Sequence, residues 1–427
     1  MSLFLSALIN LVYLSYIFIS SPYYLFRILT NRNYRLGLKQ RLGYIPTCPD
    51  NKKQCIWFVC ASVGELLATH RLITEAEKQL LKYNIVISTL TPTAYRLAKE
   101  NFLHHTVIFF PLDLSFIIRK VIKQLKPSLI ILVEQELWPN FIITAFRQQV
   151  PIILINGQMS QKTVQMYRSL TTLVVRWFLN KLACFGVQTD EYAQRFCDLG
   201  ALPERVETVG NMKYDMDIET VNIEPLKSCY QINDTARILI AGSTHHPEEE
   251  IVVHIYERLK ASFPDLRLIL APRHPERIGS IETYLKSRNL AYIKRSQLPV
   301  SEDIKQRIIL IDTIGELKKL YPMATIAFVG GSLVNIGGHN ILEPVLVMKP
   351  VVFGPYLVDD VRKSADLLIN AGAGWEIKGK DELYQRFKWA LENPEKANQA
   401  GIQGKEMIKH HQGATQRYLR MIQRFIY

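Results

Sequence analysis

Glu65 closes the run Ala61-Ser62-Val63-Gly64-Glu65, between an apolar stretch and an amphipathic one. A carboxylate at such a junction can take a proton from a hydroxyl nucleophile. The same position complements the positive end of a helix dipole, worth about half a kcal/mol, and the local pattern leaves both roles open. Glu134 and Glu136 follow a second apolar run in Glu134-Gln135-Glu136-Leu137-Trp138-Pro139-Asn140. Helix capping accounts for one of them, but two carboxylates there are costly unless hydrogen-bond donors meet them. Lys213, in Gly210-Asn211-Met212-Lys213-Tyr214-Asp215, could reach an anionic group or stand in solvent.

Further along, Ala241-Gly242-Ser243-Thr244 precedes Glu248-Glu249-Glu250. Small residues turning a strand into a helix would leave backbone N–H groups for a phosphate. The lysine of a P-loop is absent, which excludes that motif. Ala271-Pro272-Arg273-His274-Pro275-Glu276-Arg277 offers Arg273 to a phosphate or carboxylate. The stretch from Gly330 to Pro344 contains Gly330, Gly331, Gly337 and Gly338, which would permit close backbone approach to a ligand. Asn340 and Glu343, three residues apart at a helix start, fall on one face, where Glu343 could accept the hydroxyls of a ribose.

These residues follow short apolar runs at 56–60, 84–88, 107–110, 129–133 and 151–155, with helical patterns at 65–81, 93–102, 114–125 and 138–148 between them. Continuous β-branched runs of this kind predict parallel strands buried on both faces. The pattern breaks across 200–234 and restarts at 237–241, 266–270, 308–311, 326–329 and 351–353. Two doubly wound α/β domains facing a cleft follow, with chemistry expected beyond the strand ends. A chain of 427 residues exceeds what one core usually fills.

The formal charge of +13 favours anionic partners, a membrane surface or a phosphorylated lipid among them. No nucleic-acid module accompanies that charge. The six cysteines show no CxxC or metal spacing and read as thiols of a reducing compartment. Leu3 to Leu29 holds no acidic residue and only Arg27 as a base, and Arg32, Arg35, Lys39 and Arg41 follow. The stretch is long enough to span a bilayer, with the basic cluster keeping the rest on the cytoplasmic side. Because Ser6, Asn10, Ser15 and Ser20 interrupt it, a helix lying on the membrane or packed on the first domain stays open.

Taken together in order, the runs at 62–65, 134–140, 210–213, 241–245, 272–277 and 330–344 resemble the 3-deoxy-D-manno-oct-2-ulosonic acid (Kdo) transferases nearly end to end. The resemblance implies a GT-B, α/β glycosyltransferase with an N-terminal membrane-anchor helix, moving Kdo from CMP-Kdo to a tetra-acylated lipid A precursor. It places that reaction in lipopolysaccharide core biosynthesis, at the cytoplasmic face of a bacterial inner membrane. By position, Glu65 would be the general base, and Glu134 and Lys213 would stabilise the transition state. Pro272, Arg273, Ile314, Gly315, Glu316, Asn340, Ile341, Leu342 and Glu343 would contact the CMP of the donor. CMP-Kdo is then a donor substrate, with no resident cofactor and no metal implied. The corresponding division is an anchor at 1–30, an acceptor-binding domain at 31–210, a linker at 211–234 and a CMP-sugar-binding domain at 235–404. A final helix at 405–427 would pack back on the first domain. Where the family commonly carries Asn-Ala-Arg-Leu-Ser, this chain reads Asn156-Gly157-Gln158-Met159-Ser160, which bears on acceptor contacts and on how many Kdo units are added. A GT-B transferase using a UDP-sugar and a non-catalytic membrane scaffold are the competing readings.

Overall fold

The computed structural model describes residues 2–31, 35–50, 52–169, 172–216, 222–233, 235–300 and 308–426. Arg32 of the basic cluster, and residues 217–221 and 234 of the stretch 211–234, lie outside the described residues. The chain forms two compact units, Met1–Met216 with His411–Tyr427 and Asp217–His410.

The first unit carries a seven-stranded sheet ordered β3-β2-β1-β4-β5-β6-β7. Its strands are β1 (Gln54–Val59), β2 (Tyr83–Thr89), β3 (Thr106–Phe109), β4 (Pro127–Val133), β5 (Ile152–Gly157), β6 (Cys184–Val187) and β7 (Val206–Thr208), all paired parallel. The strand order reverses between β1 and β4, so their carboxyl ends, leading to Glu65 and Glu134, flank the point where α/β sheets bind ligands. The apolar runs named above become these strands because helices bury both faces. Ile56, Trp57, Ile130 and Ile131 are fully buried.

β6 and β7 escape a reading by apolar runs because they are short and held by a distant segment. A Cβ on Gly186 would lie 2.6 Å from the Tyr418 ring and 2.9 Å from Met421. Both belong to the helix Ala414–Gln423, whose Tyr418 and Ile422 are fully buried in this unit's core. Tyr418 Oη donates to Gly210 O at 3.0 Å and Arg417 Nε to Val209 O at 2.7 Å. Buried Asp215 accepts the N–H groups of Gly413 and Thr415 at the start of that helix. The turn Met212–Asp215 is thereby part of the first unit.

The second unit repeats the plan in the order β10-β11-β9-β8-β12-β13-β14. Here β8 is Ile238–Thr244, β9 Arg267–Pro272, β10 Tyr292–Lys294, β11 Ile308–Leu310, β12 Ile326–Val329, β13 Val351–Phe353 and β14 Gly374–Glu376. The reversal lies between β8 and β12, whose ends lead to His245 and to Gly330. The three-residue strands β10 and β14 carry too little pattern to be read from sequence.

Asp215→Ala removes two charge-assisted bonds to the last helix and should lower the first unit's unfolding free energy by about 2 kcal/mol. Urea denaturation followed by the unit's tryptophan fluorescence measures this, and an unchanged midpoint would contradict it.

Candidate active site

In the first unit, Ser62 caps the helix Val63–Gln79 and its hydroxyl accepts the Glu65 N–H at 3.2 Å. Glu65, in the first turn, folds its carboxylate back toward the strand end. One oxygen accepts from Ala61 N–H at 2.7 Å and the other from Ser62 Oγ at 3.0 Å. The group is 8% exposed. Burial, then the charges of Glu136 and Glu134, raise its pKa to about 8 against the pull of those two hydrogen bonds. Gly64 is helical, and a Cβ there would approach only Ser62 Oγ, at 3.8 Å. Its missing side chain leaves open space beside Glu65.

Glu134 follows β4 in the left-handed region, at φ 60°, a cost of order 1–3 kcal/mol that surrounding contacts must offset. Asn156 Nδ2 donates to it at 3.3 Å and Gln158 Nε2 at 2.5 Å. Asn156, at φ 51°, then accepts the Met212 N–H at 3.1 Å through its side chain and Gln188 Nε2 at 3.1 Å through its carbonyl. Gln188 receives Asn211 Nδ2 at 3.1 Å, and Asn211 Oδ1 accepts the Lys213 N–H at 2.9 Å. This chain of amides seats the Lys213 turn at the ends of β4 and β5. Burial lowers the Lys213 pKa and the Glu134 charge opposes the shift. Glu136 accepts from Trp138 Nε1 at 2.7 Å, and burial raises its pKa. The structure thus gathers Glu65, Glu134 and Lys213, and adds Glu136, Asn156 and Gln158. A neutral amide at 158 satisfies Glu134 without cancelling the charge that acts on Glu65.

In the second unit β8 continues through Thr244, so 241–244 is strand rather than the turn expected to leave backbone N–H groups for a phosphate. Fully buried Glu248, at the start of the helix Glu248–Lys260, accepts from His245 N at 2.9 Å, Gly331 N at 2.7 Å, Ser332 N at 3.1 Å and Leu333 N at 2.9 Å. Gly330 makes room for this clip, since a Cβ there would lie 2.6 Å from Glu248 Oε2 and from Thr244 Cα. Gly331, at φ 67°, would meet the His339 ring at 2.9 Å. The chain's own packing thus requires both glycines.

Around this clip, His245 and His339 stack at 5.1 Å with their Nε2 atoms 2.8 Å apart, and His274 stands edge-on to His245. One Nε2 donates and the other accepts, so the facing atoms hold one proton between them. Burial, then Arg273, His245 and His274, push His339 down to about 4. Sequence reasoning missed this pair, although both histidines border the strand-end motifs. Pro272 ends β9 and Arg273 follows it, exposed. Asn340 Nδ2 donates to Glu343 Oε1 at 3.3 Å, and its Oδ1 accepts the Leu342 N–H at 3.1 Å. Burial raises the Glu343 pKa, opposed by Lys318, Asn340 and Arg273. Ile341 and Leu342 are buried and anchor that turn. Ile314 is 85% exposed beside Gly315 at φ 85°. Glu316 is held by Thr313 Oγ1 at 2.7 Å and Arg295 Nε at 2.9 Å. Arg273, Asn340 and Glu343 therefore form one polar group, while the Glu316 carboxylate is already in an ion pair. Among the described residues, no three His, Cys, Asp or Glu side chains are grouped so as to hold a metal ion.

The family model of 3-deoxy-D-manno-octulosonic-acid transferase (kdotransferase) matches residues 36–216. The 3-deoxy-D-manno-octulosonic acid transferase of Haemophilus influenzae is 31% identical over 397 residues, covering 92% of this chain and 92% of that protein. A bifunctional glycosyltransferase/methyltransferase of Fusobacterium nucleatum is 35% identical over 354 residues, 81% of this chain, and the match spans only 54% of that longer protein. Among solved structures, a glycosyltransferase from Rickettsia africae superposes with TM-score 0.59 at 11% identity, covering 88% of this chain and 99% of that one. That likeness concerns the fold, two Rossmann-like units of GT-B type. With identity of this extent along nearly the whole chain, this protein belongs to the Kdo transferase family of glycosyltransferases.

Proposed function

We propose that this chain moves Kdo from CMP-Kdo to a tetra-acylated lipid A precursor, with inversion at the anomeric carbon, as a step of lipopolysaccharide core assembly. The observation that carries the reading is Glu65, a buried carboxylate at the strand-order reversal, held by two hydrogen bonds and raised to about 8. A carboxylate of that basicity suits a hydroxyl nucleophile better than an ordinary glutamate does. In the reaction, an acceptor sugar hydroxyl oxygen attacks Kdo C2 while Glu65 takes the hydroxyl proton. The C2–O bond to CMP breaks, and its electron pair leaves on the phosphate. Arg273 meets that phosphate, Glu343 and Asn340 hold the ribose, and Lys213, set against Glu134, stabilises charge in the transition state. These cations fill the role that a metal plays in other transferases, so none is required. Pro272, Ile314 to Glu316, and Ile341 with Leu342 complete the donor contacts. The charge of +13 and the apolar N-terminal helix support a site at the cytoplasmic face of the inner membrane, where donor, acceptor and lipid surface are all anionic.

The shift at Glu65 has opposite signs for activity and stability. The base must be ionised, so kcat/KM should rise with pH through about 8. The folded chain holds that proton more tightly than the unfolded one. Its contribution to stability is therefore full below the usual 4.5 and is lost as pH rises through about 8.

Glu65→Gln should cut Kdo transfer by about 100-fold or more while CMP binding, read by calorimetry, is unchanged; transfer at the native rate would remove Glu65 from the chemistry. Gln158→Arg places a cation beside Glu134 and should move the acidic limb of the kcat/KM profile to lower pH, whereas an unmoved limb would show that Glu134 does not act on Glu65. Mass analysis of products from the purified protein with CMP-Kdo and a tetra-acylated acceptor should show added Kdo and count the units, with or without a chelator. Turnover confined to UDP-sugars would overturn the donor assignment.

A further inference from the structure

Residues 2–30 form one helix with an uneven circumference. Ser6, Asn10 and Tyr13 fall on one stripe of a helix with 3.6 residues per turn. That stripe is fastened to the first unit. Buried Ser6 donates to Asn140 Oδ1 at 2.9 Å, and Asn10 exchanges bonds with Ser115 at 2.7 and 3.0 Å and accepts from Asn140 Nδ2 at 3.0 Å. The Tyr13 hydroxyl bonds Asp113, the buried carboxylate that also caps the helix Pro139–Arg147 through the Asn140 and Phe141 N–H groups. On the opposite side Leu11, Val12, Phe18, Ile19, Phe26 and Leu29 are between 59% and 80% exposed.

The chain a few residues beyond the helix is tethered to the same unit. Leu38–Arg41 sits against β3: Gln40 Oε1 accepts the Phe109 N–H at 2.8 Å, Arg41 O accepts the Leu112 N–H at 2.9 Å, and a Cβ on Gly37 would lie 2.0 Å from the Phe109 ring. Leu38 follows Thr30 by 8 residues (38 − 30). Fully extended, that is about 28 Å, short of the ~30 Å hydrocarbon core. A spanning helix would put Ser6 and Thr30 on opposite sides of the bilayer. The segment after Thr30 would then have to recross it with Arg32 and Arg35 in the hydrocarbon, at a cost of several kcal/mol.

We propose that the N-terminal helix does not span the membrane but lies in the plane of an anionic bilayer surface, its Leu11–Phe18–Phe26 side in lipid and its Ser6–Asn10–Tyr13 side on the transferase unit. This deepens the membrane placement proposed above and rests on it. Charge selects the occupant. Neither this helix nor the neighbouring helices Ser115–Leu125 and Pro139–Arg147 contains an acidic residue, and Phe116, Arg119, Lys120 and Lys123 are exposed on one side of the former neighbour. Apolar side chains flanked by lysine and arginine match an anionic headgroup layer.

The test uses the full chain carrying a protease-cleavable tag at either end, in right-side-out spheroplasts and in inside-out vesicles. Both tags should be cut in the same preparation; a first tag cut in the preparation that protects the second overturns the proposal. The purified chain should float with phosphatidylglycerol-containing vesicles. The exposed-side variant Phe18→Ser with Ile19→Ser should lower flotation about tenfold or more while keeping transfer to a detergent-dispersed acceptor. A chain that stays out of the vesicles, as a soluble dimer burying this side would, overturns the proposal. Neither tag cleavage nor flotation uses a sugar donor, so absent Kdo transfer would bear on the proposed reaction alone.

Discussion

Gathering three carboxylates at adjoining strand ends, one of them buried, is the constraint around which the first unit is built. Glu136 and Glu134 raise the cost of ionising Glu65, Glu134 raises that of Glu136, and burial adds to both. Each is therefore supplied with donors: a backbone amide and a hydroxyl for Glu65, two side-chain amides for Glu134, an indole for Glu136. Two non-glycine residues, Glu134 and Asn156, accept left-handed backbone to present those groups. The last helix, joined through Asp215 and Arg417 to the segment that carries Lys213, keeps that lysine in register.

The second unit solves the converse problem with one carboxylate. Glu248 consumes four backbone N–H groups and turns a glycine-rich loop into a fixed surface. On the proposed reading, anion recognition falls to side chains, with Arg273 exposed and Asn340 ordering Glu343. A rigid loop costs little further ordering when a donor binds, which favours affinity through preorganisation.

Much of this was readable before the structure. Long β-branched runs identified β1, β2, β4, β5, β8 and β9 because strands buried on both faces need uninterrupted apolar side chains. Glu65, Glu134 and Arg273 were found because each stands just past such a run. The unread parts depend on partners far along the chain. Gly186 makes sense only beneath Tyr418, and Glu248 only against residues 331–333. The His245–His339 contact joins residues 94 positions apart. The role of Gln158 needed Glu134 beside it, 24 positions earlier. Strength of local pattern reveals which elements exist, while side-chain satisfaction across the sheet decides what each residue is for.

The most direct measurement is a titration of the Glu65 carboxyl itself in the ligand-free protein, by isotope-edited infrared difference between the native chain and Glu65→Gln. A carboxyl band lost with a midpoint near 8 would support a base tuned by burial and by Glu136 and Glu134. A midpoint near the ordinary 4.5 would contradict that account, leaving Glu65 as a helix-capping carboxylate.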